Sequence, residues 1–266
     1  MDFKKITEVL VTAKAVQYVM IAVLLIGAFF LPRLAVKQET EAAGQEATAE
    51  VQQLKDSQQS GGNAQAAKGT IVLDPGHGGD DPGMIGAGGI NEKKLNLIYA
   101  KKLQALLEAE GYRVVLTRET EEGLYDADAA HKKAQDMQRR VAIIAEEAPL
   151  ITVSIHQNSY QDPAVSGPQV FYYENSAEGQ KLAKSIQDSM NSELSEARSR
   201  VEKSNSSYYI LKRSQGTTVI VECGFLSNPE EEARLQEEAY QDRVCAAVCK
   251  GILQYLDEDS DESKIS

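Results

Sequence analysis

From Thr70 to Tyr255 the chain alternates short β-branched apolar runs with longer stretches whose apolar residues recur every three or four positions. No other feature constrains the fold as much. Thr70-Ile-Val-Leu-Asp74 reads as a short buried strand that breaks at Pro75-Gly76. Tyr112–Thr117, Leu150–Ile155, Gln169–Tyr173, Tyr208–Leu211 and Thr218–Val221 read as further strands. Between them, Glu92–Glu110 carries a helical stripe at Leu95, Ile98, Tyr99, Leu103, Leu106 and Leu107, with Asn91 placed to cap its start and Gly111 its end. Ala127–Glu147 repeats that spacing through Met137, Val141 and Ile144, and Ala177–Leu194 through Leu182, Ile186 and Met190. A last helix carries Val244, Val248, Gly251, Ile252 and Tyr255. Strands separated by helices need crossover connections, so the expectation is a single α/β domain with a mostly parallel twisted sheet and helices on both faces.

The first 68 of the 266 residues read differently. Ala15–Pro32 runs 18 residues without a charge, behind Lys4, Lys5 and Lys14 and ahead of Arg33 and Lys37. Such a run is just long enough for a transmembrane helix, with the basic residues favouring an inside N-terminus and an outside domain. A cleaved signal peptide is the rival, but the run is long for one and no small-residue cleavage site closes it. The expected organisation is an N-terminal membrane anchor or signal segment over 1–36, a flexible Ala/Gln/Glu/Gly-rich linker over 37–68, a domain over 69–256 and an acidic tail over 257–266. With 42% hydrophobic and 26% charged residues, wholesale disorder is excluded. Acidic and basic residues balance over 1–68, so the net charge of −12 belongs to the domain and tail, which argues against a nucleic-acid partner.

Parallel sheets place ligand chemistry at the carboxyl ends of their strands. There the chain puts Asp74-Pro-Gly-His77-Gly-Gly, Ser154-Ile-His156-Gln-Asn158 and Glu222-Cys-Gly-Phe225. A histidine after a strand is usually a turn or surface residue. Two of the three histidines in the chain at such ends, with carboxylates beside them, is metal-site chemistry. A His/His/Glu set with a further Glu could polarise a carbonyl and activate water, and on these grounds either Glu92 or Glu222 could be the third ligand. The glycines between Gly76 and Gly89 suit a loop that brings backbone close to a ligand.

Ile71-Val-Leu-Asp-Pro-Gly-His-Gly-Gly79 with Asp81-Pro-Gly83, then Glu92, then Ser154-Ile-His156-Gln-Asn158, then Val221-Glu-Cys-Gly-Phe-Leu-Ser-Asn-Pro229 together resemble the zinc-dependent N-acetylmuramoyl-L-alanine amidases with the DPGHGG signature. The likeness spans about 70–256. It implies one zinc ion per chain, with His77, Glu92 and His156 as ligands and Glu222 as catalytic acid/base. The implied reaction is hydrolysis of the amide between N-acetylmuramic acid and L-alanine of peptidoglycan. Arg140 matches a recurrent arginine with a structural role, and Asn158 is placed to orient His156 or to meet substrate. The segment Ser195–Ser206, which often lines the family's groove, is polar and irregular here.

Regulated envelope members of that family carry a helical insertion that blocks the zinc site, for which regular elements leave no room here. An anchored chain without wall-binding repeats is most similar to the sporulation and germination type, which strips peptides from cortex muramic acid. This implies a catalytic domain on the extracytoplasmic side, membrane-anchored or, if the first segment is cleaved, secreted. The implied partners are peptidoglycan and the membrane, with an activator protein left open. Two other readings remain: a zinc peptidase acting on the stem peptide, and a non-catalytic membrane-tethered wall-binding module. His131 reads as a surface residue. Cys223, Cys245 and Cys249 read as small buried hydrophobes and not as a disulfide framework or a thiol nucleophile.

Overall fold

The computed structural model describes residues 67–265. The expected membrane helix, and the linker up to residue 66, lie outside the described residues. Among those described, no helix is long and apolar enough to cross a membrane. The elements run β1 (Thr70–Pro75), α1 (Glu92–Ala109), β2 (Arg113–Leu116), α2 (Lys132–Glu147), β3 (Ile151–Asn158), β4 (Gln169–Tyr173), α3 (Ala177–Glu193), β5 (Lys203–Asn205), α4 (Tyr209–Arg213), β6 (Thr217–Phe225), α5 (Pro229–Leu235) and α6 (Glu238–Ile265). They form one six-stranded sheet in the order β2-β1-β3-β6-β4-β5. The first four strands are mutually parallel, and β4, with β5 parallel to it, runs antiparallel to β6. The mostly parallel α/β domain expected from the alternation is thus what forms.

Strand alternation splits the apolar residues between two unequal cores. Ile71 and Leu73, Ile151, Val153 and Ile155, and Val219, Val221 and Cys223 join Leu95, Tyr99, Leu103, Leu182, Ile186, Val244, Val248 and Ile252 in the larger cluster, under α1, α3 and α6. The other face carries only Val72, Ile144, Phe171, Ile210, Leu211 and Ile220, under α2 and α4. On the thick side α3 and α6 meet backbone to backbone. Ser185 and Ser189 donate to the carbonyls of Gly251 and Ala247 at 2.8 and 2.7 Å. A Cβ on Gly251 would lie 2.5 Å from the Cα of Ile186.

Five local readings need correction. Tyr208–Leu211 is not a strand but the entry to α4. Asn205 Oδ1 accepts from the amides of Ser207 and Tyr208, and the Tyr208 carbonyl accepts from Lys212, which closes a helical turn. An apolar run of four residues cannot by itself distinguish the two states. The polar stretch Ser195–Ser206 ends in a strand, β5, whose polarity is that of a short sheet edge. The second helix starts at Lys132 and not Ala127, because Asp136 and Gln135 side chains take the amides of Leu124 and Asp126 and tie that segment beside the helix. Pro229–Leu235 is a further helix, too short for apolar periodicity to mark. Asn228 Oδ1 caps it by accepting from Glu230 and Glu231 at 3.0 Å each, and Pro229 sits in its first turn. The last helix continues through Ile265, into the segment read as an acidic tail.

Candidate metal centre

On neighbouring strands the register decides which side chains share a face. Asp74 pairs with Ser154, Ser154 with Ile220, and His156 with Glu222. All of them point to the thin face, with Val72 and Ile220. Cys223, one residue further, points into the larger core, where burial pushes its thiol well above the ordinary range. It is therefore out of reach as a nucleophile. His156 and Glu222 sit within their strands and not after them, because the β3 and β6 pairing continues past the apolar runs to Asn158 and Phe225. Asn158 turns its amide oxygen to the Ser159 N–H, not to His156.

His77 lies two residues beyond β1 with φ 62, a left-handed conformation uncommon for a residue with a Cβ. The surroundings hold it there. Arg140 donates to the carbonyls of His77 at 2.5 Å and Pro75 at 2.7 Å, and to Asp74 Oδ1 at 2.7 Å. Arg118 donates to Pro75, Gly76 and Lys93 carbonyls, each at 2.8 Å. Three successive carbonyls around the histidine therefore end on two buried guanidinium groups. Asp74 and Asp136 balance Arg140, and Asp74 also accepts from Thr117 and Ser154, each at 2.6 Å. Burial works against the Asp74 carboxylate, but Arg140 and the two hydroxyls bring its pKa down to about 2. Arg118 was missed from sequence, although it follows the end of β2 as His77 follows the end of β1.

Glu92, the first residue of α1, stands between the two histidines. Its Oε2 is 3.2 Å from His77 Nε2 and its Oε1 is 2.9 Å from His156 Nδ1. It also accepts from the amides of Met84 and Gln157 and from Asn96. Burial disfavours its charge, but the bonds and charges of His156 and His77 outweigh that and hold the carboxyl far below its usual range. Asp81 Oδ2 stands 3.1 Å from His77 Nδ1, leaving Nε2 to face Glu92. The two rings are 4.9 Å apart, edge to face. Two glycines make room for this. A Cβ on Gly76 would lie 2.1 Å from His156 Cε1, and one on Gly83 would lie 2.4 Å from Glu92 Oε2.

One ligand atom each from His77, Glu92 and His156 lies within 4.8 Å of the others, the one such metal-competent group among the described residues. Ligands at 2.0–2.1 Å around a tetrahedral ion stand about 3.4 Å apart, close to the nitrogen–oxygen spacings found here. Two imidazoles and a carboxylate gathered this closely are a donor set that suits a small divalent ion such as zinc. Beside them Glu222 is buried, with Oε2 meeting no hydrogen-bond partner among the described residues. Burial, then the Glu92 charge, raises its pKa well above the ordinary carboxyl value. All four groups line one cleft of about 830 Å³. Between His77 and His156 only α1 and α2 intervene as helices, and between His156 and Glu222 only α3 and α4, so among the described residues no inserted helix covers the cleft.

The profile of a protein family described as N-acetylmuramoyl-L-alanine amidase matches residues 71–254. The chain is 37% identical over 194 residues to the germination-specific N-acetylmuramoyl-L-alanine amidase of Bacillus subtilis, covering 72% of this chain and 81% of that protein. Among solved structures it is similar to the CwlD amidase of Clostridioides difficile, determined in complex with the GerS lipoprotein, at 34% identity and a TM-score of 0.69 over 71% of this chain and 98% of that one. It is also similar to the amidase AmiC2 of Nostoc punctiforme, at 32% identity and a TM-score of 0.62 over 71% and 97%.

Proposed function

The chain belongs to the N-acetylmuramoyl-L-alanine amidase family, and on that premise we propose that His77, Glu92 and His156 hold one zinc ion while Glu222 moves the proton. The enzyme is a hydrolase of the amide bond that joins muramic acid to L-alanine in peptidoglycan. The observation that carries the residue assignment is the Glu92 carboxylate with one imidazole on each oxygen, beside a buried Glu222 oxygen that no group among the described residues satisfies. A zinc ion held there would polarise the scissile carbonyl and acidify the attacking water. The rest falls to the chain. Glu222, its pKa raised by burial, takes a proton from the water as its oxygen bonds to the lactyl carbonyl carbon. It then delivers that proton to the alanine nitrogen as the carbon–nitrogen bond breaks. The products are a free lactyl carboxylate on the glycan and a peptide with a free L-alanine amine. Arg118 and Arg140 keep His77 in place throughout, and Asp81 fixes the ring nitrogen it presents.

The finer reading is an amidase of spore cortex, anchored or secreted through residues 1–36 and spaced by 37–68, with its domain over 69–256 on the extracytoplasmic side. Similarity to a germination-specific enzyme supports it. Similarity to an amidase solved with a lipoprotein supports an activating partner of that kind.

The test uses the full chain. Metal analysis should return about one zinc per chain, and mass spectrometry of digested muropeptides should show peptide-free muramic acid and stems with a free L-alanine amine. Glu222→Gln should keep the zinc and lose turnover, whereas His77→Ala should lose the zinc. Cleavage within the stem would instead make the protein a peptidase, and zinc without turnover would make it a binding module. Near-normal turnover by Glu222→Gln would refute its role. Unchanged muramic lactam content in spores of a deletion strain would refute the cortex assignment.

A further inference from the structure

Tyr208 is set into the same cleft from three sides. Its amide donates to Asn205 Oδ1 at 2.8 Å, the oxygen that also receives the amide and hydroxyl of Ser207. Its carbonyl accepts the Lys212 amide, the first closure of α4, whose next residues Ile210 and Leu211 are buried beneath. Its ring meets Phe171 edge to face, with centroids 5.6 Å apart and planes at 88°. Phe171 is the register partner of Ile220, which shares a face with Glu222 two residues on. The ring is therefore held against the strand face that carries the proton-moving carboxylate. The residue is 38% exposed and lines the cleft together with His77, Glu92, His156 and Glu222. Among the described residues its hydroxyl has no hydrogen-bond partner. The ring and backbone are thus held by structural contacts, and the hydroxyl at its tip is a donor without structural work to do, in a site where an amide oxygen must gain negative charge.

We propose that Tyr208 is a further catalytic residue, whose hydroxyl donates a hydrogen bond to the carbonyl oxygen of the scissile amide as charge builds on it. The inference rests on the amide-hydrolysis reading and on Glu222 as proton carrier. No covalent bond to tyrosine forms, and the proton stays on the phenol. Burial, then the charges of Glu222 and Glu92, raises the phenol's pKa, which keeps it a donor across the neutral range. A donor of this kind is stronger toward the transition state than toward the ground-state carbonyl, so it acts on kcat and hardly on KM.

The experiment compares the full-length zinc-loaded chain with its Tyr208→Phe variant on a purified muropeptide. Removal of one such donor lowers kcat by about 10- to 100-fold, somewhat less than in sites without a metal, with KM, zinc content and melting temperature unchanged. A phosphinate analogue of the scissile amide, whose oxygens mimic the developing charge, should lose affinity by the same factor, while the peptide product binds as before. Asn205→Ala, which frees the backbone of the tyrosine, should give a smaller fall in kcat. A Tyr208→Phe kcat within about threefold of wild type overturns the proposal, as does a fall that comes with loss of zinc or of melting temperature, or a change confined to KM. Wild-type protein that fails to release the L-alanine-terminated peptide defeats the amidase reading itself, whereas normal wild-type turnover with an unaffected variant defeats only the role of Tyr208.

Discussion

Replacing Gly76 by alanine isolates the contact between the first loop and His156. Gly76 is not among the glycines with positive φ, so the methyl group meets no backbone objection. Its backbone is also pinned: the amide donates to the Ile155 carbonyl at 3.0 Å, and its own carbonyl takes bonds from Asn96 and Arg118. The new Cβ would stand 2.1 Å from His156 Cε1, 2.2 Å from Nε2 and 2.7 Å from Nδ1. Atoms in ordinary contact stand about 3.5 Å apart, so the ring must retreat by roughly 1.4 Å. That distance ends the 2.9 Å approach of Nδ1 to Glu92 and takes the imidazole out of the ligand set. Disturbing a group that merely supports a ligand costs about 10- to 100-fold in metal affinity. Here the ligand itself moves, and the expected loss is about 100-fold, or about 2.7 kcal/mol. The ring can swing toward the open cleft, so the fold should lose only about 1 kcal/mol, the low end for an overfilled site. Zinc affinity by chelator competition and unfolding in urea separate the two effects. Gly89→Ala is the comparison, since Gly89 has φ +85 and nothing within 4 Å of a Cβ. It should cost about 1 kcal/mol of strain and leave the metal alone. A Gly76→Ala protein that holds zinc within about threefold of wild type, or a Gly89→Ala protein that loses it as badly, would refute the steric reasoning.

Two further outcomes concern the charges beneath the site. Arg140→Met should destabilise the fold by about 3–5 kcal/mol in urea unfolding, because it strands Asp74 and Asp136 without their cation. Arg140→Lys keeps the charge but not the fork, and should recover part of the stability while His77 loses its carbonyl tether. Asp74 should give the acid limb of stability. Its folded pKa of about 2 lies below its ordinary 3.8, so its contribution of about 2 kcal/mol is complete above about pH 4 and lost as the pH falls toward 2. Urea unfolding between pH 2 and 6 should show that step, and Asp74→Asn should flatten it; a step equally large in the variant would assign it to other carboxylates.

The alternation of periods carried the sheet, the long helices and their placement on both faces, because burial on both faces leaves a strong imprint over ten or more residues. It failed where the imprint is short. Tyr208–Leu211 offers four apolar residues and no period, and the Asn205 turn that makes it helical depends on β5 ending beside it. The site divides in the same way. His77, His156 and Glu222 were legible as chemistry from their position near strand ends, but spacing alone did not choose between Glu92 and Glu222 as partner of the histidines. The β3 and β6 register places Glu222 opposite His156 in the strands, whereas the first turn of α1 brings Glu92 between the rings. That distinction is made across the sheet, over 64 residues from Glu92 to His156. Arg118 and the aspartates were equally hidden, and Arg140 was marked only by the resemblance, since the bonds from Arg118 and Arg140 to the His77 loop and to Asp74 join residues from different elements.

The unequal cover of the sheet explains why this chemistry lies where it does. Three helices on the thick side supply an apolar cluster that includes most of the buried aliphatic side chains, and stability of the domain can rest there. The thin side keeps a small cluster at one end, and toward the carboxyl ends its strand positions are Asp74, Ser154, His156 and Glu222. A carboxylate left without a partner, as in Glu222, costs more than any one of these residues gains by burial. A helix packed there with apolar side chains would remove both the cost and the site. The fold instead spends short elements on that face: α4 covers its apolar residues with Ile210 and Leu211, and the preceding turn leaves Tyr208 at the edge of the open cleft. The strained His77, the unpartnered Glu222 and the free tyrosine hydroxyl are thus tolerated for one reason, that the opposite face stabilises the sheet they stand on.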